Sequence, residues 1–549
     1  MSSTEPSTGG PRGERPERAS GTPNSTPGSG PSSGPRNLAR QGSVVAAMTG
    51  ISRITGFLRD VLLSYLFGAS ALADAFFVAF KIPNFFRRLF AEGAFSQAFV
   101  PILARYRTGP RRELVAFAGR MFGNLGLAVL VVTALGWLGA EALVTVFAPG
   151  FRDEPERFAL TADLLRIVMP YLACISLVSL ASSVLNAHDR FAIPAVTPVL
   201  LNLCMITAAS IAIFGYGDAP LTGVRILAWG VLIAGVLQLL LQVPSLRAIR
   251  VLPAPRLSGR DPGVRAVGRL LPPAVFAASV AQINSLIDTM LASTLQVGSI
   301  SWLYYADRLL ELPVGLVAVT LGTILLPNLS RLAASGDAIR FRSTLDWGIK
   351  MALVLSVPAA VALYQLALPI VATVFRYGAQ TGLDSQMAAL ALQVFAAGLV
   401  GWVLIKVLAP GYFAHQDTRT PFRYGVAAVA LNIVGNLLLY KSMGHVGLAL
   451  ATAASGWLNA GLLLYGLKRI GRYQPGVDVR NLAWRVLVAT AAMALCLSLM
   501  PSPDALWLEG SALERLSRLS LLVGVGAASY ALTLLLLGVR PAQLQFRLQ

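Results

Sequence analysis

Ionisable side chains occur inside two long apolar stretches near the start of the chain, where they could bind an anion. The stretch 44–68 contains two arginines and an aspartate, and the stretch 71–103 contains three basic and two acidic side chains. Arginine suits phosphate because its planar guanidinium group offers two parallel N–H donors. Five positive against three negative charges leave a surplus of two that internal pairing cannot remove. The eight residues are Arg53, Arg59, Asp60, Asp74, Lys81, Arg87, Arg88 and Glu92.

A third group of charges follows an aromatic pair in a later apolar stretch, 299–329. Asp307, Arg308 and Glu311 come shortly after Tyr304 and Tyr305. An ionised side chain at the centre of a bilayer costs at least about 2.5–3.5 kcal/mol, so these groups are not expected to face acyl chains. Together the three groups predict a hydrated cleft with residual positive charge, whose natural ligand is an anion.

A second interpretation is that these charges are ion pairs that hold the protein together. Asp74, Lys81 and Arg88 recur at intervals of seven and so lie along one stripe of a helix, from which Lys81 and Arg88 could extend to the membrane interface. The unbalanced charge, and the position of Arg87 about midway along its stretch, favour the cleft.

Two further aspartates are candidate ligands for a monovalent cation. Asp288 is the lone charge in the apolar stretch 270–296, and an isolated intramembrane carboxylate is a candidate for coupling to protons or sodium. Asp417 lies beside Thr420 and Pro421, which are typical of a helix start. We expect Asp417 to belong to that turn, and a cation site is the alternative.

The composition predicts a membrane protein. The chain has 549 residues, of which 55% are hydrophobic and 13% are charged. Its net charge of +19 resides mainly in short connections between apolar stretches, without the interleaved aromatic residues of a single-strand nucleic-acid binder. The sequence has no GxxxxGK[ST] motif, which argues against direct use of ATP. We therefore expect a transporter and not an enzyme, with no nucleic acid as a partner and no cofactor.

Fourteen apolar stretches long enough to cross a bilayer follow one another along the chain. Arginine-rich connections follow the second, sixth and twelfth, and the positive-inside rule places these connections and both termini in the cytoplasm. The predicted fold is thus an all-α multi-pass membrane protein. The stretches are 44–68, 71–103, 113–148, 160–187, 193–216, 224–246, 270–296, 299–329, 344–375, 383–414, 421–440, 444–467, 481–501 and 514–539.

An internal repeat divides these stretches into two halves. Three short motifs recur in the same order at a shift of 226 to 228 residues, and this shift spans six helices. Because six is even, the halves should share one orientation, with a substrate cleft between two six-helix lobes. In the first pair, VPILAR at 100–105 matches LPNLSR at 326–331. In the second, Val146-Phe147 followed by Gly150 matches Val374-Phe375 followed by Gly378. In the third, Ala187-His188 followed by Pro194 matches Ala414-His415 followed by Pro421.

The repeat and the composition together predict five segments. They are a disordered cytoplasmic tail (1–38), an N-terminal six-helix lobe (39–250), a basic cytoplasmic linker (251–269), a C-terminal six-helix lobe (270–470), and two extra transmembrane helices with a short tail (471–549).

Three segments carry a resemblance to a known family. They are SRITGFLRDVLLSYLFGASALADAFFVAFKIPNFFRRLFAEGAFSQAFVP at 52–101, SISWLYYADRLLELPVGLVAVTLGTILLP at 299–327 and KVLAPGYFAHQDTRTP at 406–421. These segments are similar to the MurJ (MviN) lipid II flippases, which belong to the multidrug/oligosaccharidyl-lipid/polysaccharide exporter superfamily. The likeness covers about residues 40 to 540 and is weaker in the last two stretches. It implies a flippase that moves undecaprenyl-pyrophosphate-linked disaccharide pentapeptide to the periplasmic face for peptidoglycan synthesis and cell-wall biogenesis.

The resemblance also implies roles for particular residues. Arg59, Arg87 and Arg308 would contact the pyrophosphate, and Asp74 and Glu92 would orient them or take part in gating. Some family members tie an acidic residue of the seventh span to sodium, which favours Asp288 as an ion ligand. The expected substrate-binding residues are Arg53, Arg59, Arg87 and Arg308, and the expected gating or charge partners are Asp74, Lys81, Glu92, Asp307 and Glu311.

Alternating access of the two lobes would carry the polar head across while the polyprenyl tail stays in lipid, driven by the membrane potential, protons or sodium.

The nearest alternative is another exporter of the superfamily, either a polysaccharide-lipid flippase or a drug/cation antiporter; a cavity for cationic drugs would be acidic. A membrane glycosyltransferase would need carboxylates on a large extramembrane loop. A structural scaffold would leave the arginines unexplained. Lipid II, membrane lipids and the cell-wall synthesis or division machinery are the expected partners.

Overall fold

A computed structural model describes residues 35–90, 94–252 and 254–540. In these ranges the chain forms eighteen α-helices, with a short 3-10 helix at Pro149–Asp153. The α-helices are α1 (Pro35–Phe67), α2 (Ala71–Phe90), α3 (Ala94–Arg107), α4 (Arg111–Leu138), α5 (Ala140–Phe147), α6 (Pro155–Val168), α7 (Tyr171–Ala187), α8 (Ala192–Gly215), α9 (Pro220–Ala248), α10 (Pro262–Ser293), α11 (Ser299–Ser335), α12 (Ala338–Gln365), α13 (Ala367–Phe375), α14 (Gly382–Phe413), α15 (Arg419–Arg469), α16 (Val477–Ser498), α17 (Asp504–Glu509) and α18 (Ala512–Leu536).

The all-α fold predicted from the sequence is confirmed. Nine helices in the described part of the chain are long and apolar enough to cross a membrane, when α6 and α7 are counted as one. Other predicted stretches are divided, for example 113–148 into α4 and α5. Conversely, the stretches 421–440 and 444–467 form the single helix α15, which bends where Gly444 adopts φ 58° and ψ −139°. The number of crossings, fourteen, therefore stays a prediction.

Corresponding helices of the two halves begin 227 or 228 residues apart. Helices α4 and α12 begin at Arg111 and Ala338, and helices α8 and α15 begin at Ala192 and Arg419. The short helices repeat as well, because α5 follows α4 and α13 follows α12 after a break of one residue. The internal repeat of the sequence is thus also a repeat of helix order and helix starting positions.

Two predicted boundaries differ from the observed ones. Helix α1 begins at Pro35, so residues 35–38 of the predicted tail are helical, while residues 1–34 lie outside the described residues. The predicted linker 251–269 contains the first turns of α10. This helix begins early because the Asp261 carboxylate accepts the N–H groups of Gly263 and Val264 as an N-cap.

Each half packs mainly around its own helices. In the first half α8 packs against α1 and α9, and in the second half α14 packs against α11, α12 and α15. Helices α16 and α18 pack against each other and against α12, so they attach to the second half. Large apolar side chains such as Leu138, Phe214 and Trp484 are exposed, as expected for surfaces that face acyl chains.

The two halves meet tightly at one end of the molecule, which we call the closed end. It comprises the last residues of α1 and α10, the first turns of α2 and α11, and the loops after α5 and α13. There the Ala379 N–H donates to the Tyr65 carbonyl (2.9 Å), and the Tyr305 hydroxyl donates to the Gly68 carbonyl (2.8 Å). Away from the closed end the halves surround a cavity, and beyond the cavity the first turns of α10 pack against α3.

Candidate substrate cavity

A cavity of about 600 Å³ lies between the halves. Helices α2, α10 and α11 supply most of its wall, and α1, α5, α8, α14 and α15 supply the rest. Five cationic side chains and three carboxylates line it. These are Arg59, Lys81, Arg87, Arg88 and Arg308, and Asp288, Asp307 and Glu311.

Two arginines of the cavity share one carboxylate. The Nε and Nη2 atoms of Arg59 donate to Asp60 Oδ1 (2.9 and 2.7 Å), and Nε of Arg308 lies 3.3 Å from Asp60 Oδ2. Asn202 of α8 accepts a third hydrogen bond from Arg59 (3.0 Å), so this side chain is fixed and only 7% exposed. Asp60 is buried and does not line the cavity. Its charge lowers the net charge of this region from +2, the sum over the lining side chains, to +1.

An aromatic platform fixes the position of Arg308. The Tyr304 hydroxyl donates to Asp60 (2.8 Å), and the Arg308 guanidinium lies 4.9 Å from the Tyr304 ring centre, a cation–π distance. The ring of Phe77 stacks on the ring of Tyr304, with 4.1 Å between the ring centres. Arg308 also pairs with Glu311 (2.6 Å), whose side chain is 56% exposed. A ligand anion can therefore compete with Glu311 for Arg308 more easily than with the buried Asp60.

The cations on α2 bond to neutral oxygens. Lys81 donates to the Thr289 hydroxyl, and Arg88 donates to the Gln282 amide oxygen (3.4 Å). Arg87 Nε donates to Asn84 on its own helix (3.1 Å). Hydrogen bonds to neutral groups fix Lys81 and Arg88 without removing their charges, so these two side chains contribute positive potential to the α2 wall.

Asp74 lies outside the cavity, at the closed end, where it is fully buried. Its Oδ2 accepts from Arg157 Nη2 of α6 (2.6 Å) and from the Gly298 N–H (2.8 Å), and its Oδ1 accepts from the Ser301 N–H (2.9 Å) and hydroxyl (2.5 Å). An aspartate of one half thus caps the N-terminus of α11 in the other half. Arg157 carried no signal in the sequence, because it follows Glu154 and Glu156 and lies 83 residues from its partner Asp74.

A polar cluster surrounds Asp288, between α10 and α15. Asn436 donates to Asp288 Oδ1 (2.6 Å) and to Asn432 (3.1 Å), and Asn432 donates to the Thr452 hydroxyl (3.0 Å). Both asparagines are fully buried, and Asn436 Oδ1 receives no hydrogen bond from any described residue. A carboxylate beside a buried acceptor without a donor is an arrangement that suits a hard monovalent cation. Sequence reasoning found only the carboxylate.

The remaining candidates lie at the edge of the cavity or beyond it. Arg53 is exposed, and its guanidinium lies so close to the α11 backbone that a Cβ on Gly315 would be 2.0 Å from Arg53 Nη1. Asp307 lines the cavity and is exposed, whereas Glu92 lies outside the described residues. Asp417 accepts the N–H of Thr420 (3.0 Å) in the turn that precedes α15, as expected for a turn residue.

The repeated halves, the cavity between them and the mixed charges of its wall define a bilobed membrane transporter. The sequence profile described as "Lipid II flippase MurJ" matches residues 63–517. A probable lipid II flippase MurJ of Vibrio cholerae is 43% identical over 519 residues, covering 92% of this chain and 97% of that protein. A lipid II flippase MurJ of Burkholderia cenocepacia is 42% identical over 444 residues, covering 80% and 85%. This chain belongs to the MurJ lipid II flippase family.

Solved structures agree with this assignment. A lipid II flippase MurJ in an inward closed conformation superimposes with a TM-score of 0.75 at 26% identity, covering 89% of this chain and 97% of that one. An inward-facing transporter of the MATE family, in the MOP superfamily, matches with a TM-score of 0.63 at 15% identity, covering 76% and 94%. The second match shows a shared fold alone.

Proposed function

We propose that this chain is a lipid II flippase of the bacterial inner membrane, which moves the lipid-linked peptidoglycan precursor from the cytoplasmic to the periplasmic face. The observation that carries the proposal is the cavity between the halves, in which arginine and lysine side chains outnumber carboxylates. Family membership supports the same function. Lipid II and the surrounding membrane lipids are the partners that this function requires, and it involves no enzymatic step.

The substrate's pyrophosphate would lie against Arg308, Arg59 and Arg87. Asp60 fixes Arg59, and the Tyr304 ring and Asp60 fix Arg308, so the wall is preorganised before substrate arrives. The anion would displace Glu311 from Arg308 and form charge-assisted hydrogen bonds in its place. A polar head held in this cavity never contacts acyl chains, while the polyprenyl tail remains in lipid.

We also propose that both termini are cytoplasmic. In this orientation the cavity faces the cytoplasm and the closed end is periplasmic. The arginine-rich connections after α3, α9 and α15 support this orientation through the positive-inside rule. Opening of the closed end together with closure of the opposite end would present the substrate to the periplasm.

Sodium is the cation that we propose for coupling, at Asp288 with Asn432, Asn436 and Thr452. The donor-free oxygen of Asn436 beside the carboxylate supports a cation there. Lys81 is hydrogen-bonded to Thr289, the residue after Asp288, so the site adjoins the basic wall of the cavity. Occupancy of the site would therefore influence the charges that contact the substrate. The dependence of protein stability on sodium tests the site.

Binding of lipid II to the purified protein tests the function, with Arg308→Ala as the variant. We expect the loss of two charge-assisted contacts to weaken binding by about 10- to 100-fold. Arg331→Ala is the matched control, because Arg331 lies on the same helix, is exposed and does not line the cavity. Unchanged binding by Arg308→Ala would count against the pyrophosphate site. Depletion of the protein in cells, followed by measurement of lipid II at the outer face, tests translocation itself.

A further inference from the structure

Two loop glycines bring the halves into backbone contact at the closed end. A Cβ on Gly150, in the loop after α5, would be 2.2 Å from the carbonyl oxygen of Ser293. A Cβ on Gly378, in the loop after α13, would be 2.3 Å from the carbonyl oxygen of Tyr65. Both distances are far inside van der Waals contact, so neither loop could approach its partner as closely with any other residue.

The two contacts are related by the internal repeat. Gly150 and Gly378 are 228 residues apart, and so are their partners, Tyr65 at the end of α1 and Ser293 at the end of α10. The loop of each half therefore contacts the helix end of the other half at a repeat-related position. Such an arrangement is the intramolecular counterpart of an isologous interface, in which one interaction occurs twice about an axis.

Hydrogen bonds accompany both contacts. The Gly150 N–H donates to the Ser293 hydroxyl (3.1 Å), and the N–H of Ala379, next to Gly378, donates to the Tyr65 carbonyl (2.9 Å). These bonds join opposite halves, so both must break when the closed end opens. Close approach of the loops is what allows both bonds to form.

We infer that Gly150 and Gly378 are positioning residues for transport, which set the balance between the closed and open arrangements of this end. The inference rests on the alternating access of the proposed function. A Cβ at either position forces the loop away from the opposite helix end, so it raises the free energy of the closed arrangement and leaves the open one unaffected. Since the contacts are equivalent, the two substitutions act in the same direction.

Distances between spin labels at the closed end test this inference in the full-length chain. Labels attached through Glu156→Cys on α6 and Leu383→Cys on α14 report the separation of the halves, because both side chains are exposed and their positions are repeat-related. The native cysteines, Cys174, Cys204 and Cys496, are first replaced by serine. We expect Gly150→Ala and Gly378→Ala each to raise the ratio of long to short distances about tenfold, an overpacking effect.

Matched glycines separate the clash from other effects of alanine. Gly336 has a left-handed backbone like Gly378 (φ +72° and +59°), but nothing lies within 4 Å of its Cβ position, so Gly336→Ala carries the backbone strain without the contact. Gly259, in a loop with open space around it, is the control for Gly150. Both control variants should keep the wild-type distance distribution.

A wild-type distance distribution in folded Gly150→Ala or Gly378→Ala overturns the inference, and so does an equal shift in the control variants. The two sites are independent, so one folded variant is a sufficient test. The labels report without lipid II, which separates this result from the proposed function. Failure of the wild type to bind lipid II would reject the flippase and leave the measured shift intact, whereas unshifted distances with normal binding would reject only the role of the glycines.

Discussion

The closed end and the cavity use intramembrane charge in opposite ways. At the closed end, Asp74 accepts four hydrogen bonds, one of them from Arg157, and is fully buried. In the cavity, Lys81 and Arg88 bond to neutral oxygens and Glu311 is exposed. A charge whose partners are complete stabilises the fold, and a charge with neutral or exposed partners can still bind a ligand. The completeness of the partners therefore separates Asp74 from Lys81 and Arg88, although not from Arg59, which Asp60 and Asn202 hold in the cavity wall.

The largest expected effect comes from removal of the closed-end carboxylate. Asp74→Ala leaves the buried Arg157 guanidinium with only the half-exposed Glu154 as an ionic partner and uncaps α11, so we expect the free energy of unfolding to fall by about 3–5 kcal/mol. Chemical denaturation in detergent measures the change. Asp74→Ala combined with Arg157→Met should recover part of the loss, because no buried charge then remains unpaired. Wild-type stability of the single variant would contradict a structural role for Asp74.

A somewhat smaller effect on stability is expected from sodium binding at the polar cluster around Asp288. Sodium at 100 times its dissociation constant should stabilise the wild type by about 2.7 kcal/mol, because binding to the folded state alone adds this free energy. Asp288→Asn should abolish the stabilisation. Glu311→Gln, the control, removes a cavity carboxylate that pairs with Arg308 outside the cluster, and this variant should keep the stabilisation. Equal stabilisation by sodium and potassium in all three proteins would show a general salt effect and no site.

Removal of a cation from the cavity tests the difference between the cavity and the closed end. We expect such a change to weaken lipid II binding while leaving protein stability nearly unchanged. Lys81→Met keeps most of the side-chain volume and removes the charge, so we expect affinity for lipid II to fall by about tenfold, the value of one charge-assisted bond. The free energy of unfolding should change much less than in Asp74→Ala, because the lysine bonds to a neutral hydroxyl and the carboxylates near it, Asp288 and Asp307, line the cavity. A stability loss as large as that of Asp74→Ala would remove the distinction between the two regions.

The sequence predicted the fold better than it predicted which charged side chains are structural and which line the cavity. Apolar stretches and repeated motifs indicate helices and halves directly, since each rests on local composition. The cluster around Asp288 needed three-dimensional information, because its asparagines lie about 150 residues further along the chain and resemble any buried polar residue. Asp74 and Lys81 share one helical stripe, yet Asp74 meets Arg157 and the first turn of α11, which only the packing of the halves brings together. Spacing gives a residue's side of a helix and says nothing of its partners.

The smallest expected effect concerns Asp417, where the turn and cation interpretations diverge. Burial alone would raise the pKa of this carboxyl group, but hydrogen bonds from Thr420 and the Arg419 N–H, together with the charge of Arg472, lower it. A lowered pKa means that the ionised group stabilises the fold at neutral pH and that this contribution disappears as the pH falls through the folded-state value. Asp417→Ala should therefore cost about 1 kcal/mol at pH 7 and nothing in acid. Asp417→Asn should stay near wild type because asparagine also caps, and a sodium response that Asp417→Ala abolishes would instead assign the cation to this turn.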